Sequence, residues 1–266
     1  MDGAHVIIGG GLAGGKAAAA LREQGFDGTI VLLCAESHLP YERPPLSKDL
    51  LAGKAGRADT LVHDADWYVR HHIDVRTGVR ATRIDRADQL VGLDDGGALR
   101  YDKLLLATGS APRPFPDATG VRYLRTLEDA EILRDGFGDG RSLLIVGAGW
   151  IGLEVAATAR RAGTAVTVVA PEERPLANIL GDRLGDRLAR LHRDEGVDLR
   201  LGTGVRSIVD GVVTLDDGST LTAAAVLVGI GALPETALAA EAGLAVGDGV
   251  DVDAGLRTSD PHIFAV

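Results

Sequence analysis

The apolar residues of this 266-residue chain come in short blocks with two alternating spacings. Residues 5–8 and 29–35 are nearly continuous runs of β-branched residues and leucine, the pattern of strands buried on both faces. Between them, residues 12–24 are rich in alanine and end at Gly25, which reads as a helix. Together they form one βαβ unit. The succession returns as a strand at 142–146, a helix at about 150–162 stopped by Gly163, and a strand at 165–169. Residues 73–106 hold several short strand-like pieces, and LLLATG (104–109) leads into Pro112, Pro114 and Pro116. That proline-rich stretch is the expected domain boundary. Pro44 and Pro45 exclude a helix before them and suit the first turn of one after them. Residues 184–195 read as a helix, 198–201, 205–209 and 211–215 as short strands, and 225–229 as a buried strand. The tail IFAV reads as the start of another strand. No repeat of 20–50 residues is visible, although the two βαβ units are a loose internal duplication.

Each unit carries a glycine motif between its first strand and its helix. The first motif is Gly9, Gly11 and Gly14; the second is Gly147, Gly149 and Gly152. In such a motif the first glycine makes the tight turn, the second admits a pyrophosphate, and the third lets helix and strand close together. The pyrophosphate then lies on the free N–H groups of the helix N-terminus. One motif is weak evidence, but two in the same context point to two dinucleotides. Glu36 follows the second strand of the first unit, about 20 residues after Gly14, where a carboxylate can bind an adenosine ribose.

Composition narrows the function. Glycine is unusually frequent, at 36 residues, and no low-complexity tract absorbs it. A net charge of −10 argues against nucleic acid as the main partner, since phosphate binding needs a basic surface. No run of about 18 apolar residues occurs, so no membrane span is expected. The chain enters a strand within a few residues of its start, without a signal-peptide pattern, which makes a cytoplasmic setting the expectation. The single cysteine, Cys34, rules out an internal disulfide shuttle and reads as a small buried hydrophobe. Metal-ligand spacing is absent, and His71 and His72 read as solvated residues on a surface helix.

The most telling charge is Glu154, in the otherwise apolar helix WIGLEVAATA. A carboxylate there costs desolvation unless the helix N-terminus or a cation compensates it. Lys48, in the proline-fixed segment of the first unit, is the candidate partner.

The stretch PYERPPLSK (40–48) closely resembles the signature of the oxygenase-coupled NAD(P)H–ferredoxin, rubredoxin and putidaredoxin reductases. These are flavoproteins of the pyridine nucleotide–disulfide oxidoreductase superfamily. The resemblance continues through YDKLLLATGSAPR (101–113), YLRTLEDAEILR (123–134), GAGWIGLEVAATA (147–159), GIGALPET (229–236) and LRTSDPHIFAV (256–266). It implies an α/β fold of two Rossmann-like, doubly wound, three-layer dinucleotide-binding domains, the second inserted in the first. Residues 1–111 and 234–266 would bind FAD, and 112–233 would bind NAD(P)H. Gly9, Gly11, Ala13 and Gly14 would cradle the FAD pyrophosphate, and Glu36 would hold its ribose. Arg43 would approach the phosphates, Lys48 the flavin, Ala81 the adenine through its backbone, and Arg125 FAD again. Gly147, Gly149, Ile151 and Gly152 would receive the nicotinamide nucleotide. Glu154 would lie between Lys48 and the nicotinamide, and these two residues would be catalytic. The implied reaction passes electrons from NAD(P)H through FAD to a small iron–sulfur protein of ferredoxin or rubredoxin type, serving an oxygenase.

Three departures accompany the resemblance. Ala170 stands where the family places an acid at the end of the strand, leaving Glu172 or Glu173 to meet the ribose hydroxyls and Arg174 to tolerate a 2′-phosphate. NADH is therefore the expected nucleotide, with NADPH as the alternative and weak discrimination between them. The family continues with Gly-Asp beyond IFAV and then with a C-terminal domain, so the sequence is expected to be part of a longer protein and to hold FAD poorly by itself. Arg70, Arg76, Arg80, Arg83 and Arg86 form a basic stretch of the kind an acidic partner would require, although a solvated face is the expected reading of it. The rival readings are a disulfide or peroxide reductase, disfavoured by the lone cysteine and by PPLSK, and a nucleotide-binding module without turnover.

Overall fold

A computed structural model describes residues 3–266. The chain divides into two compact units. The first comprises the residues up to Arg43, Ala58–Ala111 and Pro234–Val266; the second comprises Pro44–Arg57 and Pro112–Leu233.

In the first unit, β1 (Ala4–Ile8), α1 (Leu12–Glu23) and β2 (Thr29–Cys34) form the first βαβ arrangement. Helix α2 (Ala65–Arg70) and β3 (Ile73–Thr77) follow. A short antiparallel sheet of β4 (Ala81–Asp85), β5 (Leu90–Leu93) and β6 (Ala98–Arg100) comes next, then β7 (Lys103–Leu106). The strand Ile263–Ala265 completes a parallel sheet in the order Ile263–Ala265, β7, β1, β2, β3. Alternate residues of each strand face opposite ways. Ile7, Ile30 and Leu32 pack with Ala18 of α1 and Tyr68 of α2, while Val6, Ile8, Val31 and Leu33 pack with Ile84, Val91 and Leu93 of the small sheet. Burial on both faces explains why these strands carry continuous apolar runs, and the result is a three-layer α/β unit. Arg86 closes it from the far end of the chain. Its Nε lies 2.8 Å from the buried Asp260, and its Nη1 donates to the carbonyls of Ala242 and Gly243.

After β8 (Ser110–Pro112) the chain enters the second unit through α3 (Leu127–Asp135), whose Thr126 and Asp129 form a capping box. The second βαβ follows as β9 (Ser142–Val146), α4 (Trp150–Arg161) and β10 (Ala165–Ala170). Then come α5 (Ala177–Leu180), α6 (Asp182–Asp194) and β11 (Asp198–Leu201). An antiparallel sheet of β12 (Val205–Val209), β13 (Val212–Leu215) and β14 (Thr220–Thr222) precedes β15 (Ala225–Val228). The main sheet is parallel, in the order β11, β10, β9, β15. It carries α4 on one side, and Ile208, Val213 and Leu215 of the small sheet cover the other.

The segment 44–57 departs from its expected place in the first unit and packs within the second. It opens with a 3₁₀ turn, Pro44–Ser47, rather than an α-helix. Two polar clamps hold it. Ser47 and Lys48 bind Glu154 of α4, and Arg57 grips Glu131 of α3 through Nε at 2.7 Å and Nη2 at 2.5 Å, with Glu128 at 3.3 Å. His71 also departs from the expected solvated state. Its ring stacks on Trp67 at 3.9 Å, and His63 covers the other face of the indole at 3.8 Å.

Candidate dinucleotide-binding sites

The two glycine loops repeat one geometry. Gly9 has φ +134°, and a Cβ on it would stand 1.9 Å from the Ala107 carbonyl oxygen; Gly147 has φ +112°, with the Gly229 carbonyl oxygen 2.4 Å from such a Cβ. These are the tight turns. A Cβ on Gly14 would meet the Gly9 carbonyl oxygen at 2.0 Å, and one on Gly152 the Gly147 carbonyl oxygen at 2.2 Å, so only glycine lets each helix close on its loop. The middle glycines differ. Gly11 (φ −98°) and Gly149 (φ −81°) have ordinary backbone angles, and a Cβ on either would meet nothing within 4 Å. Neither packing nor conformation within the protein requires glycine there. The space in front of each helix N-terminus is therefore open to an incoming backbone-hugging group. Neither helix has a side-chain cap or an acid in its first turn, so both N-termini keep their N–H groups and positive dipoles for an anion. Both loops thus fit a dinucleotide pyrophosphate. Ala13 and Ile151 lie within the first helical turns beside these loops, and Ile151 is exposed.

Past the end of β2, Glu36 is engaged by two groups of the PYER stretch. The buried Tyr41 donates its hydroxyl to Oε2 at 2.6 Å, and Arg43 Nη2 reaches Oε1 at 2.6 Å. Arg43 also lies over the Tyr41 ring and touches its hydroxyl. The structure therefore joins two expected cofactor residues, Glu36 and Arg43, both directly and through Tyr41, for which the sequence alone gives no signal. The neighbouring Cys34 is fully buried, and its thiol is pushed up to about 12 by burial and then by Glu36.

Within the second unit, Lys48 Nζ stands 3.0 Å from Glu154 Oε1. Ser47 donates its hydroxyl to the other oxygen, Oε2, at 2.5 Å. Ser47 is itself buried and held by Thr158, whose hydroxyl faces the Ser47 carbonyl at 3.4 Å. Both oxygens of the carboxylate are thus committed to adjacent residues of one turn, which fixes its rotamer and the ammonium beside it. Ser47 was legible only as the neighbour of Lys48 in PPLSK.

The other expected residues are dispersed. Ala81 begins β4 opposite Leu93. Arg125 precedes α3, and its N–H donates to Asp129. Ala170 is a buried methyl at the end of β10, and Glu172 and Glu173 follow it, both exposed. Glu173 pairs with Arg174 at 3.5 Å. Of the basic segment, Arg76, Arg83 and Arg86 are paired with Asp74, Asp85 and Asp260. Among the described residues, no group of His, Cys, Asp and Glu could hold a metal ion, and no helix is long and apolar enough to cross a membrane.

Residues 3–266 match the family model for pyridine nucleotide-disulphide oxidoreductases. The chain belongs to that family. Within the pyridine nucleotide-disulphide oxidoreductases it is 45% identical over 270 residues to rhodocoxin reductase of Rhodococcus erythropolis, covering 98% of this chain and 63% of the relative. It is 45% identical over 268 residues to the ferredoxin–NAD(+) reductase component of the anthranilate 1,2-dioxygenase system of Burkholderia cepacia, covering 98% and 66%. The reductase in a crystal structure of the covalent putidaredoxin reductase–putidaredoxin complex superimposes with a TM-score of 0.95 at 41% identity, over 100% of this chain and 67% of that one. The chain spans somewhat less than two thirds of the length of these two curated relatives.

Proposed function

We propose that this protein is a flavin-dependent oxidoreductase that passes electrons from NADH, through FAD, to a small iron–sulfur protein of ferredoxin or rubredoxin type serving an oxygenase. The observation that carries this reading is the pair of glycine loops, each with a middle glycine that only an incoming ligand explains. The names of the relatives, reductases for ferredoxins of dioxygenase systems and for putidaredoxin, support the choice of acceptor. NADH is the proposed donor and NADPH the weaker one; the cytoplasm, where that donor is supplied, is the proposed setting.

FAD and NADH together would supply hydride transfer and the division of an electron pair into single electrons. The protein's part is to bind and orient. In this proposal the domain formed by 1–111 and 234–266, less the segment 44–57, takes FAD, with Gly9, Gly11, Ala13 and Gly14 on the pyrophosphate. Glu36, steadied by Tyr41 and Arg43, takes the adenosine ribose, the Ala81 backbone the adenine, and Arg125 a further FAD contact. The domain at 112–233 takes NADH on Gly147, Gly149, Ile151 and Gly152, with Glu172 and Glu173 near its ribose. Lys48 presents its ammonium to the flavin, and Glu154 fixes where that ammonium stands.

The test is anaerobic. With FAD in saturating excess, which offsets the weak retention expected of this sequence by itself, the protein should show a bound-flavin absorbance spectrum that NADH bleaches; reduction of a small iron–sulfur protein is the readout in the longer protein. Protein that binds no flavin even at saturating FAD, or bound flavin that NADH leaves oxidised, refutes the proposal.

A further inference from the structure

The end of β10 poses a problem of charge. Ala170 puts a buried methyl where a carboxylate could reject a phosphorylated ribose, while Arg174, a group suited to a 2′-phosphate, stands four residues on. Yet this arginine is occupied. Its Nε lies 2.9 Å from Asp186 Oδ1, and its Nη1 lies 3.5 Å from Glu173 and 3.9 Å from Asp182. The stem is directed as well as the head. A Cβ on Gly185 would stand 3.0 Å from the Arg174 Cβ and 2.9 Å from the Pro175 carbonyl oxygen, so the glycine lets α6 close on this segment. The stem then runs along the first turns of α6 toward Asp182 and Asp186.

We propose that Asp186, with Gly185, is a specificity-determining positioning residue that docks Arg174 on α6 and so tunes the nucleotide site for an unphosphorylated adenosine ribose. The inference rests on the reading of the second unit as the nicotinamide-nucleotide domain. A cation matched by three carboxylates offers little to a 2′-phosphate, and the same carboxylates repel one. The device does the work of the missing strand-end acid, with the arginine retained. Because these ion pairs are partly exposed, their hold is modest and one substitution should release it.

The experiment is calorimetric titration of the purified chain with ADP and with 2′,5′-ADP, which needs no turnover. Asp186→Asn should bind 2′,5′-ADP about tenfold more tightly than wild type, the size of one charge-assisted hydrogen bond gained, and should leave the ADP affinity within about twofold. In an Arg174→Gln background the same substitution should yield little, because the gain runs through the freed guanidinium. An unchanged 2′,5′-ADP affinity in Asp186→Asn overturns the inference. So does an equal gain with Arg174 removed, which would reduce Asp186 to a repulsive charge. If wild-type protein binds neither ligand, the nucleotide-domain reading fails and takes the inference with it.

Discussion

Replacing Gly149 and Gly152 by alanine, one at a time, should separate ligand binding from folding. Gly149 has an ordinary φ of −81°, and its new methyl would meet no protein atom within 4 Å. Losing glycine at this N-cap costs at most about 1 kcal/mol, or roughly 2–4 °C in Tm for a chain of this size. The methyl would, however, stand where a pyrophosphate must approach the helix N-terminus, and NAD+ affinity should fall at least about tenfold, or ~1.4 kcal/mol. Gly152 is the opposite case. Its Cβ would come within 2.2 Å of the Gly147 carbonyl oxygen, where real Cβ atoms essentially never come under 3.0 Å. Backbone must yield by most of an ångström, and overpacking of this kind costs about 1–3 kcal/mol, lowering Tm by roughly 2–12 °C. Thermal unfolding and calorimetric titration with NAD+ read the two effects independently. Wild-type NAD+ affinity in Gly149→Ala would refute the argument that a ligand demands this glycine. A larger loss of stability in Gly149→Ala than in Gly152→Ala would refute the geometric account of both. Gly11 and Gly14 should behave in the same way toward FAD, read by flavin absorbance.

Glu154→Gln should slow the reduction of bound flavin by NADH in stopped-flow measurements more than it lowers flavin content, with Ser47→Ala shifting the rate in the same direction by less; unchanged kinetics in Glu154→Gln would remove its proposed role. Cys34, buried and with its thiol at about 12, should resist an aromatic disulfide reagent at pH 8 until the protein unfolds, and rapid native labelling would contradict its burial. Asp260 has its carboxyl held below the usual range: burial opposes ionisation, but Arg86 and the His262 N–H outweigh it. Its contribution to stability is therefore in place above the unfolded carboxylate value near ~4 and is lost as pH falls through the lower folded value. Arg86→Ala should cost about 1–3 kcal/mol at pH 7, measured by denaturant unfolding, and should flatten the loss of stability on acidification; an unaltered acid limb would show that Arg86 does not hold Asp260 ionised.

Both βαβ units were legible in the sequence because local rules dictate them. Continuous apolar runs mark strands covered on two sides, and the third glycine of each loop is required by a backbone carbonyl only five residues earlier. The destination of residues 44–57 was not legible. It depends on Ser47 and Lys48 meeting Glu154 and on Arg57 meeting Glu131, contacts between residues far apart in the chain that no spacing encodes. Tyr41 carries no such signal in the sequence: between Pro40 and Glu42 nothing marks its burial, and its role shows only when its hydroxyl is seen on Glu36. The sequence leaves Arg174 open to a 2′-phosphate because its partners on α6 lie a loop away.

The relocation of 44–57 changes the meaning of the central ion pair. Lys48 and Glu154 meet inside one compact unit, so their distance is set by that unit's own packing. Glu154 lies two residues after Gly152, on the first turns of α4, and those turns also present the N–H groups of the second loop. One stretch of helix therefore carries both the anion seat and the anchor of the lysine. Any displacement of the α4 N-terminus when a pyrophosphate settles on it would be transmitted to the Glu154 carboxylate and, through both of its oxygens, to Ser47 and Lys48. In the proposed reaction, seating the electron donor and holding the Lys48 ammonium then depend on the same stretch of helix, which is why substitution at Ser47, remote from the glycine loop in sequence, should register in the rate at which NADH reduces the flavin.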